Sequence, residues 1–187
     1  MEILKEKYKK EVIPAMMKKF GYKNPMQVPC IKKVVLNSCF GKEAVTKTSG
    51  EREKLQNLII HDLALITGQK PNLVKSRKSI AGFKLREGLE ISVVVTLRKD
   101  KMWDFVEKFV YLSLPRSRDF RGLSPKSIDQ KGNLSIGFKE HIMFPEIFTE
   151  KEKTIFGFQV TIVTNAKSKE EGLELYRLLG FPMKETN

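Results

Sequence analysis

Hydrophobic and polar residues alternate most regularly between Leu89 and Leu97, where every second residue is apolar. This period of two is typical of a strand that buries one face. Similar alternation occurs at 134–138 and 156–162. The segments 31–40 and 70–74 also predict strands, so we expect a sheet of five strands.

Helical spacing of apolar residues appears in other segments, beginning with 2–20. Pro14 cannot donate a backbone hydrogen bond, so we expect a kink or a fresh helical start there. The pair Thr48 and Glu51 has capping-box spacing and predicts the start of a second helix, with Gly68 as its end.

A third helix should begin at a cap formed by Asp100 and end at Pro115. A last helix should begin at Ser168, three residues before a glutamate, and close at Gly180. Between the third helix and the next strand, residues 115–131 predict a long loop.

The predicted order of elements is α–β–α–β–β–α–β–β–α. It contains a split βαβ arrangement, so we predict an α+β fold with a mainly antiparallel sheet and a ferredoxin-like or RNA-recognition-module-like core. Helices should cover one face of the sheet, with additional N- and C-terminal helices. We expect a single domain over 1–187, comprising 1–66 (N-terminal helix, strand and helix) and 67–187 (the remaining sheet, the basic loops and the C-terminal helix).

Charge adds a functional indication, because 35 lysines and arginines face 22 acidic residues, a net charge of +13. The excess lies within 1–139, which carries +15, whereas 140–187 carries −2. Such an excess is typical of proteins that bind an anionic partner, and nucleic acid is the commonest one. Solubility alone is the alternative explanation.

Two loops concentrate the positive charge. Residues 75–88 join two predicted strands and combine lysines and arginines with serines and glycines, as expected of an RNA-contacting hairpin. Residues 115–126 favour arginine, which binds phosphate or carboxylate in a bidentate manner, so RNA or a protein would suit this loop. The nine lysines of residues 1–33 suit either diffuse attraction to phosphate or a solvated helix face.

Catalytic and metal-binding patterns are not found in the sequence. His61 and His141 lie in different predicted elements, and neither is spaced to activate Cys30 or Cys39. His61 is better explained as a helix-surface residue beside Asp62. We therefore expect no enzyme activity, no metal and no cofactor. Short apolar runs and a charged N-terminus predict a cytoplasmic protein with no membrane partner.

Several ordered motifs resemble large-subunit ribosomal protein five of the bacterial or organellar type, the universal 5S rRNA-binding family. The resemblance spans essentially the whole chain. Its motifs are 66–71 (ITGQKP), 78–88 (KSIAGFKLREG), 114–127 (LPRSRDFRGLSPKS), 144–147 (FPEI), 161–167 (TIVTNAK) and 178–180 (LLG).

The resemblance implies a structural protein that helps attach 5S rRNA to the central protuberance of the large ribosomal subunit. Implied partners are 5S rRNA, large-subunit rRNA, transfer RNA in the P site, small-subunit ribosomal protein thirteen and neighbouring 5S-associated ribosomal proteins. Residues implied to face 5S rRNA are Lys32, Lys33, Asn37, Thr67, Gln69 and Lys70. Residues implied to reach transfer RNA are Arg77, Lys78, Ser79, Lys84 and Arg86. An intersubunit bridge or rRNA contact is expected at Arg116, Arg118 and Arg121, or at a hairpin near Gly132.

One position departs from the family pattern. The family usually has Asn-Met-Gly-Val-Gly where this chain has residues 37–41 (NSCFG). Cys39 therefore places a side chain at a glycine position near the expected RNA surface. A free-standing RNA-binding regulator and an enzyme acting on RNA are the rival functions.

Overall fold

A computed structural model describes residues 4–118, 120–147 and 154–184. Five strands form one sheet in the order β2-β3-β1-β5-β4. The strands are β1 (Ile31–Cys39), β2 (Asn72–Lys75), β3 (Glu90–Leu97), β4 (Leu134–Phe138) and β5 (Phe158–Thr164). The predicted α+β class and antiparallel sheet are confirmed. The split arrangement is visible because β3 lies between β1 and β2, and β5 lies between β1 and β4.

The helices follow the predicted sequence of elements, with one addition. They are α1 (Leu4–Lys7), α2 (Ile13–Phe20), α3 (Gly41–Thr46), α4 (Ser49–Thr67), α5 (Lys99–Lys108), α6 (Leu114–Arg116) and α7 (Lys169–Leu178). The short helix α3 was not predicted. The capping box is confirmed at α4, where the Thr48 N–H donates to Glu51 Oε2 at 3.1 Å. The Ser168 hydroxyl likewise accepts from the Glu171 N–H at the start of α7.

Pro14 and Pro115 each follow a π-helical turn, and a prediction is corrected at each of them. Tyr8–Val12 precedes Pro14, and Phe109–Ser113 precedes Pro115. The wider turn uses hydrogen bonds to the fifth residue back, so a ring without an N–H fits at the start of the next α-helical turn. The helix continues through Pro14, because Val12 and Ile13 both have right-handed helical dihedral angles. The expected fresh start is therefore not found, and the expected kink stays a prediction. The prediction that Pro115 ends its helix is wrong, because α6 continues to Arg116.

The predicted role of Asp100 is also wrong. Arg98 occupies the N-cap position of α5, and Asp100 lies inside the first turn. The Asp100 carboxylate accepts from Lys5 Nζ at 2.6 Å. An acidic residue is favourable near a helix N-terminus whether or not it caps the helix. The sequence alone therefore does not distinguish an N-cap residue from an acidic residue in the first turn of a helix.

The chain divides into two compact units, and the prediction of a single domain stays a prediction. The first unit comprises 1–34, 97–136 and 161–187. Its core includes fully buried Leu4, Val12, Met16, Phe109 and Tyr176. The N-terminal helical segment contacts α5, where the rings of Tyr8 and Trp103 lie 5.5 Å apart. Apolar spacing on both helices explains this packing.

A glycine pair in the first unit lets two backbones meet. Gly132 ends a tight turn at φ +71°, and a Cβ on Gly172 of α7 would lie 2.5 Å from the Gly132 Cα. The Gly132 carbonyl accepts from the hydroxyls of Thr164 at 3.0 Å and Tyr176 at 3.1 Å. Glycine is required at both positions because a side chain would occupy the space of the neighbouring backbone.

The second unit comprises 35–96 and 137–160. Ile59, Leu63 and Ile66 of α4 are buried, as are Val93 and Val95 of β3. The alternation in the sequence is thus the alternation of the folded strand. Truncating a fully buried residue such as Leu63 to alanine would cost about 2–5 kcal/mol of stability.

Candidate nucleic-acid interface

The loop between β2 and β3 is an ordered hairpin, here called the basic hairpin (75–89). At its base the Ser76 N–H donates to the Leu89 carbonyl at 2.7 Å, and the Gly88 N–H donates to the Ser76 carbonyl at 3.0 Å. The Ser76 hydroxyl donates to the Lys78 carbonyl at 2.8 Å. These bonds continue the antiparallel pairing of β2 with β3 beyond the strands. The base of the basic hairpin is therefore fixed by its own backbone.

A second set of bonds closes the tip of the basic hairpin. Ile80 and Leu85 exchange N–H to carbonyl bonds of 2.9 and 3.1 Å around the 3₁₀ turn Ala81–Phe83. The Ser79 hydroxyl donates to the Leu85 carbonyl at 2.9 Å. Lys84 then adopts a left-handed conformation with φ 51°. Ser79, predicted to contact transfer RNA, thus holds the shape of the tip.

Four cations of the basic hairpin point to solvent and have no ion-pair partner among the described residues. Arg77, Lys78, Lys84 and Arg86 are exposed, and none forms an ion pair with any described residue. Lys75 differs, because Glu90 lies 3.9 Å from its Nζ. By contrast, the N-terminal lysines 5, 10 and 19 form ion pairs in the first unit. The basic hairpin therefore presents concentrated positive charge, which the exposed Glu87 offsets only in part.

Sequence reasoning missed one feature of this surface. Phe83 is 74% exposed at the tip, beside Ile80, which is 45% exposed. Large apolar side chains are usually buried, so an exposed one among cations is informative. The signal available in the sequence was an aromatic residue in a segment whose apolar residues follow neither the strand period nor the helix period.

The turn after α4 holds three residues predicted to face 5S rRNA. Thr67 is buried, and its hydroxyl donates to the Leu63 carbonyl at 2.6 Å. The Gln69 N–H donates to that hydroxyl at 3.3 Å, and Gly68 supplies the left-handed turn at φ +63°. Thr67 therefore shapes the turn from within. Gln69 and Lys70 are exposed, and Lys70 forms no ion pair with the described residues.

The other three predicted 5S-facing residues lie on β1. Lys32 is exposed and Lys33 half-buried in the first unit, whereas Asn37 belongs to the second. The Asn37 Oδ1 is buried and has no hydrogen-bond donor among the described residues. A buried acceptor without a donor costs free energy in the folded protein.

Cys39 follows on the same strand, at the position where the family has glycine. Its thiol is exposed, while the neighbouring Ser38 is buried and donates to the Gly157 carbonyl at 2.8 Å. Among the described residues other than glycine, positive φ angles occur at Lys84 and Lys99. The backbone at Cys39 therefore needs no glycine, and the side chain projects without strain.

The arginine-rich loop lies in the first unit. Arg116 and Arg121 are exposed and form no ion pair with described residues, whereas Arg118 does have an interaction partner. Asp119 lies outside the described residues. Beyond the arginines, the Leu123 N–H donates to the Pro182 carbonyl at 2.8 Å, and the Lys184 N–H donates back to Leu123 at 2.8 Å. This parallel bridge holds the end of the loop.

Both histidines approach one buried carboxylate, which the sequence did not predict. Asp62 lies 3.2 Å from His61 and 3.6 Å from Nε2 of the buried His141. His141 Nδ1 accepts from the Phe156 N–H at 3.4 Å, and its ring stacks on Phe156 at 3.9 Å. His141 is fully buried, so neither of its ring nitrogens is accessible to a substrate. His61, with a side chain 70% exposed, has the predicted helix-surface position.

The described residues also lack a metal-binding cluster and a membrane-spanning helix. They contain no group of three or more histidine, cysteine or acidic side chains placed to hold a metal ion. Within the same ranges, no helix has the length and apolar character required to cross a membrane.

Comparison with known proteins matches both halves of the chain. The family model described as ribosomal protein L5 matches residues 24–86, and the model for the C-terminus of the same ribosomal family matches 90–183. The large ribosomal subunit protein uL5 of Carboxydothermus hydrogenoformans is 52% identical over 182 residues, covering 97% of this chain and 98% of that protein. Its counterpart in Dictyoglomus turgidum is 52% identical over 185 residues, covering 99% and 100%. That of Desulforapulum autotrophicum is 50% identical over 184 residues, covering 98% and 99%.

Proposed function

Because the chain belongs to the ribosomal protein L5 family and is thus a structural, non-enzymatic constituent of the large ribosomal subunit, we propose that it docks 5S rRNA into the central protuberance of cytoplasmic ribosomes. It does so through cationic surfaces on a preformed scaffold. Large-subunit rRNA and neighbouring 5S-associated proteins are further partners in this proposal.

The strongest support for the proposal comes from the basic hairpin, whose proposed partner is transfer RNA in the P site. Four exposed cations repel one another in the free protein, and none has an acidic partner among the described residues: Arg77, Lys78, Lys84 and Arg86. Phosphates relieve this repulsion and release their own counterions, so binding should depend strongly on salt. The two sets of backbone bonds hold the cations in place, which lowers the entropy lost on binding.

The contacts proposed for 5S rRNA are the six residues assigned from the family resemblance, two in the first unit and four in the second. Lys32, Lys33 and Lys70 supply charge, and Gln69 and Asn37 supply hydrogen-bonding groups. Thr67 acts from inside the turn that presents Gln69 and Lys70.

Arg116, Arg118 and Arg121 contact rRNA or small-subunit protein thirteen in an intersubunit bridge. Arginine suits both partners because its planar guanidinium binds phosphate and carboxylate in a bidentate manner. The isolated β-bridge between the backbones of Leu123 and Met183 supports this role because it restrains the end of the arginine-rich loop.

Charge reversal tests the proposed division between surfaces. Arg77→Glu with Lys78→Glu should weaken transfer-RNA binding and reduce the slope of log K against log salt by roughly 0.7 per lost phosphate contact. The same variant should retain 5S rRNA in a gel shift. Glu87→Gln, on the same hairpin and also exposed, is the matched control and should tighten transfer-RNA binding. Loss of 5S rRNA by the folded double variant would refute the division of surfaces.

Sedimentation separates this role from that of a free-standing RNA regulator. A subunit constituent should remain with large-subunit particles after a high-salt wash. A chain recovered only in the soluble fraction would contradict the proposal.

A further inference from the structure

The tip of the basic hairpin presents an aromatic ring to solvent. Phe83 is 74% exposed and Ile80 45% exposed, although the backbone around both is held by hydrogen bonds. A Cβ added at the neighbouring Gly82 would meet nothing within 4 Å, so the turn offers an open face. Apolar area held in water by an ordered turn is unfavourable in the free protein and indicates a partner that covers it.

The charges around the ring identify the chemistry of that partner. Lys84 directly follows Phe83, Arg86 lies two residues further on, and Lys78 is on the opposing strand of the hairpin. A partner must therefore offer a flat apolar face for the ring together with negative charge for the neighbouring cations. Nucleobases attached to phosphates combine both properties, whereas an apolar protein pocket would have to desolvate these cations.

We propose that Phe83 is a base-stacking residue of the basic hairpin. Its ring covers an exposed nucleobase or the outer face of a terminal base pair, and Lys84 and Arg86 bind the adjoining phosphates. This inference rests on the proposed contact of the hairpin with transfer RNA. Every base has a π-face, so stacking of this kind selects folded shape rather than sequence.

The backbone of Lys84 supports this assignment. Its φ of 51° lies in the left-handed region, where glycine is favoured and other residues are strained. Glycine would relax the turn but would remove the charge next to the ring. The hairpin thus keeps a cation beside the aromatic group at a conformational cost, as sites that bind ligands often do.

Three substitutions in the full chain test the stacking role with fluorescently labelled deacylated transfer RNA as the probe. Phe83→Leu keeps an apolar side chain but removes the π-face, so the affinity should fall by about ten-fold. The salt slope should stay unchanged because no charge is lost. Phe83→Trp should retain the affinity, and the emission of the introduced indole should be quenched on binding. Tyr111→Leu, which alters another exposed aromatic residue, is the control and should have no effect.

The outcomes distinguish the stacking role from the proposed function. Unchanged affinity in Phe83→Leu, with salt-dependent binding by the wild type, would overturn the stacking role alone. An Arg86→Ala variant that keeps the wild-type affinity and salt slope would instead overturn the RNA-binding role of the hairpin. Phe83 is largely exposed, so its variants should fold, which far-UV circular dichroism would verify.

Discussion

Replacing Gly172 by alanine should destabilise the first unit although alanine favours helices. The new Cβ would lie 2.5 Å from the Gly132 Cα and 2.9 Å from the Gly132 oxygen. Contacts between non-bonded carbons are favourable near 3.5–4.0 Å, so the turn at Gly132 would have to move by about 1 Å. Both atoms in the way are backbone, and no rotamer change can relieve the clash.

The size of the effect follows from the interactions of Gly132. Overpacking costs roughly 1–3 kcal/mol. The displaced carbonyl also weakens two hydrogen bonds, from Thr164 and Tyr176, each worth about 1 kcal/mol. Better helix propensity returns about 1 kcal/mol. We expect a net loss of about 3 kcal/mol, or a Tm lower by roughly 6–12 °C for a chain of this size.

Urea unfolding followed by tryptophan fluorescence measures this loss. The chain has one tryptophan, Trp103, which lies in the first unit together with Gly172. The control is Gly50→Ala, because Gly50 is also helical but a Cβ there would meet nothing within 4 Å. Since Gly50 lies in the second unit, far-UV circular dichroism follows the unfolding of both variants as well. That variant should be unchanged or slightly stabilised. A Gly172→Ala protein as stable as the Gly50→Ala protein would refute the requirement for close backbone approach.

Three further predictions concern single side chains. Bound 5S rRNA should slow maleimide labelling of the exposed Cys39 in a Cys30→Ser variant, which leaves one thiol; an unchanged labelling rate would contradict the placement of the RNA surface. Tyr176→Phe should lose about 1–2 kcal/mol in urea unfolding because it removes a buried hydroxyl that donates to backbone carbonyls, and wild-type stability would argue against that bond. Desolvation by itself would raise the pKa of the Asp129 carboxyl. Hydrogen bonds from Asn133 and from the Lys131 N–H outweigh it and hold that pKa below its ordinary value of 3.8. The ionised carboxylate thus contributes stability above that pH and loses it as the pH falls further, so the stability difference between wild type and Asp129→Asn should shrink from pH 5 to pH 3; a constant difference would exclude this linkage.

Local signals in the sequence predicted most elements of the fold. The alternation through β3 and the pair Thr48 and Glu51 depend on neighbouring residues, and both predictions are confirmed. The π-helical turn before Pro115 could not be predicted, because it reflects how the helix accommodates a missing donor within its packing. The position of β5 between β1 and β4 depends on pairing between distant segments, which no local period encodes.

Charge in the sequence predicted the cationic part of the candidate site. It did not predict the roles of residues for which burial or exposure is decisive. The exposed cations of the basic hairpin were predicted from their density in the sequence, although their lack of acidic partners was not. Thr67 and Ser79 have hydroxyls used by their own backbones. Phe83 was overlooked because an aromatic residue in a loop has no periodicity to show whether it is buried.

The affinity for 5S rRNA, compared with that for a control RNA of equal size across a potassium chloride series, tests RNA docking most directly. Preorganised cationic surfaces predict preferential 5S binding at every salt concentration, with log K falling linearly as log salt rises. Equal affinity for the two RNAs, or binding that salt does not weaken, would contradict the account.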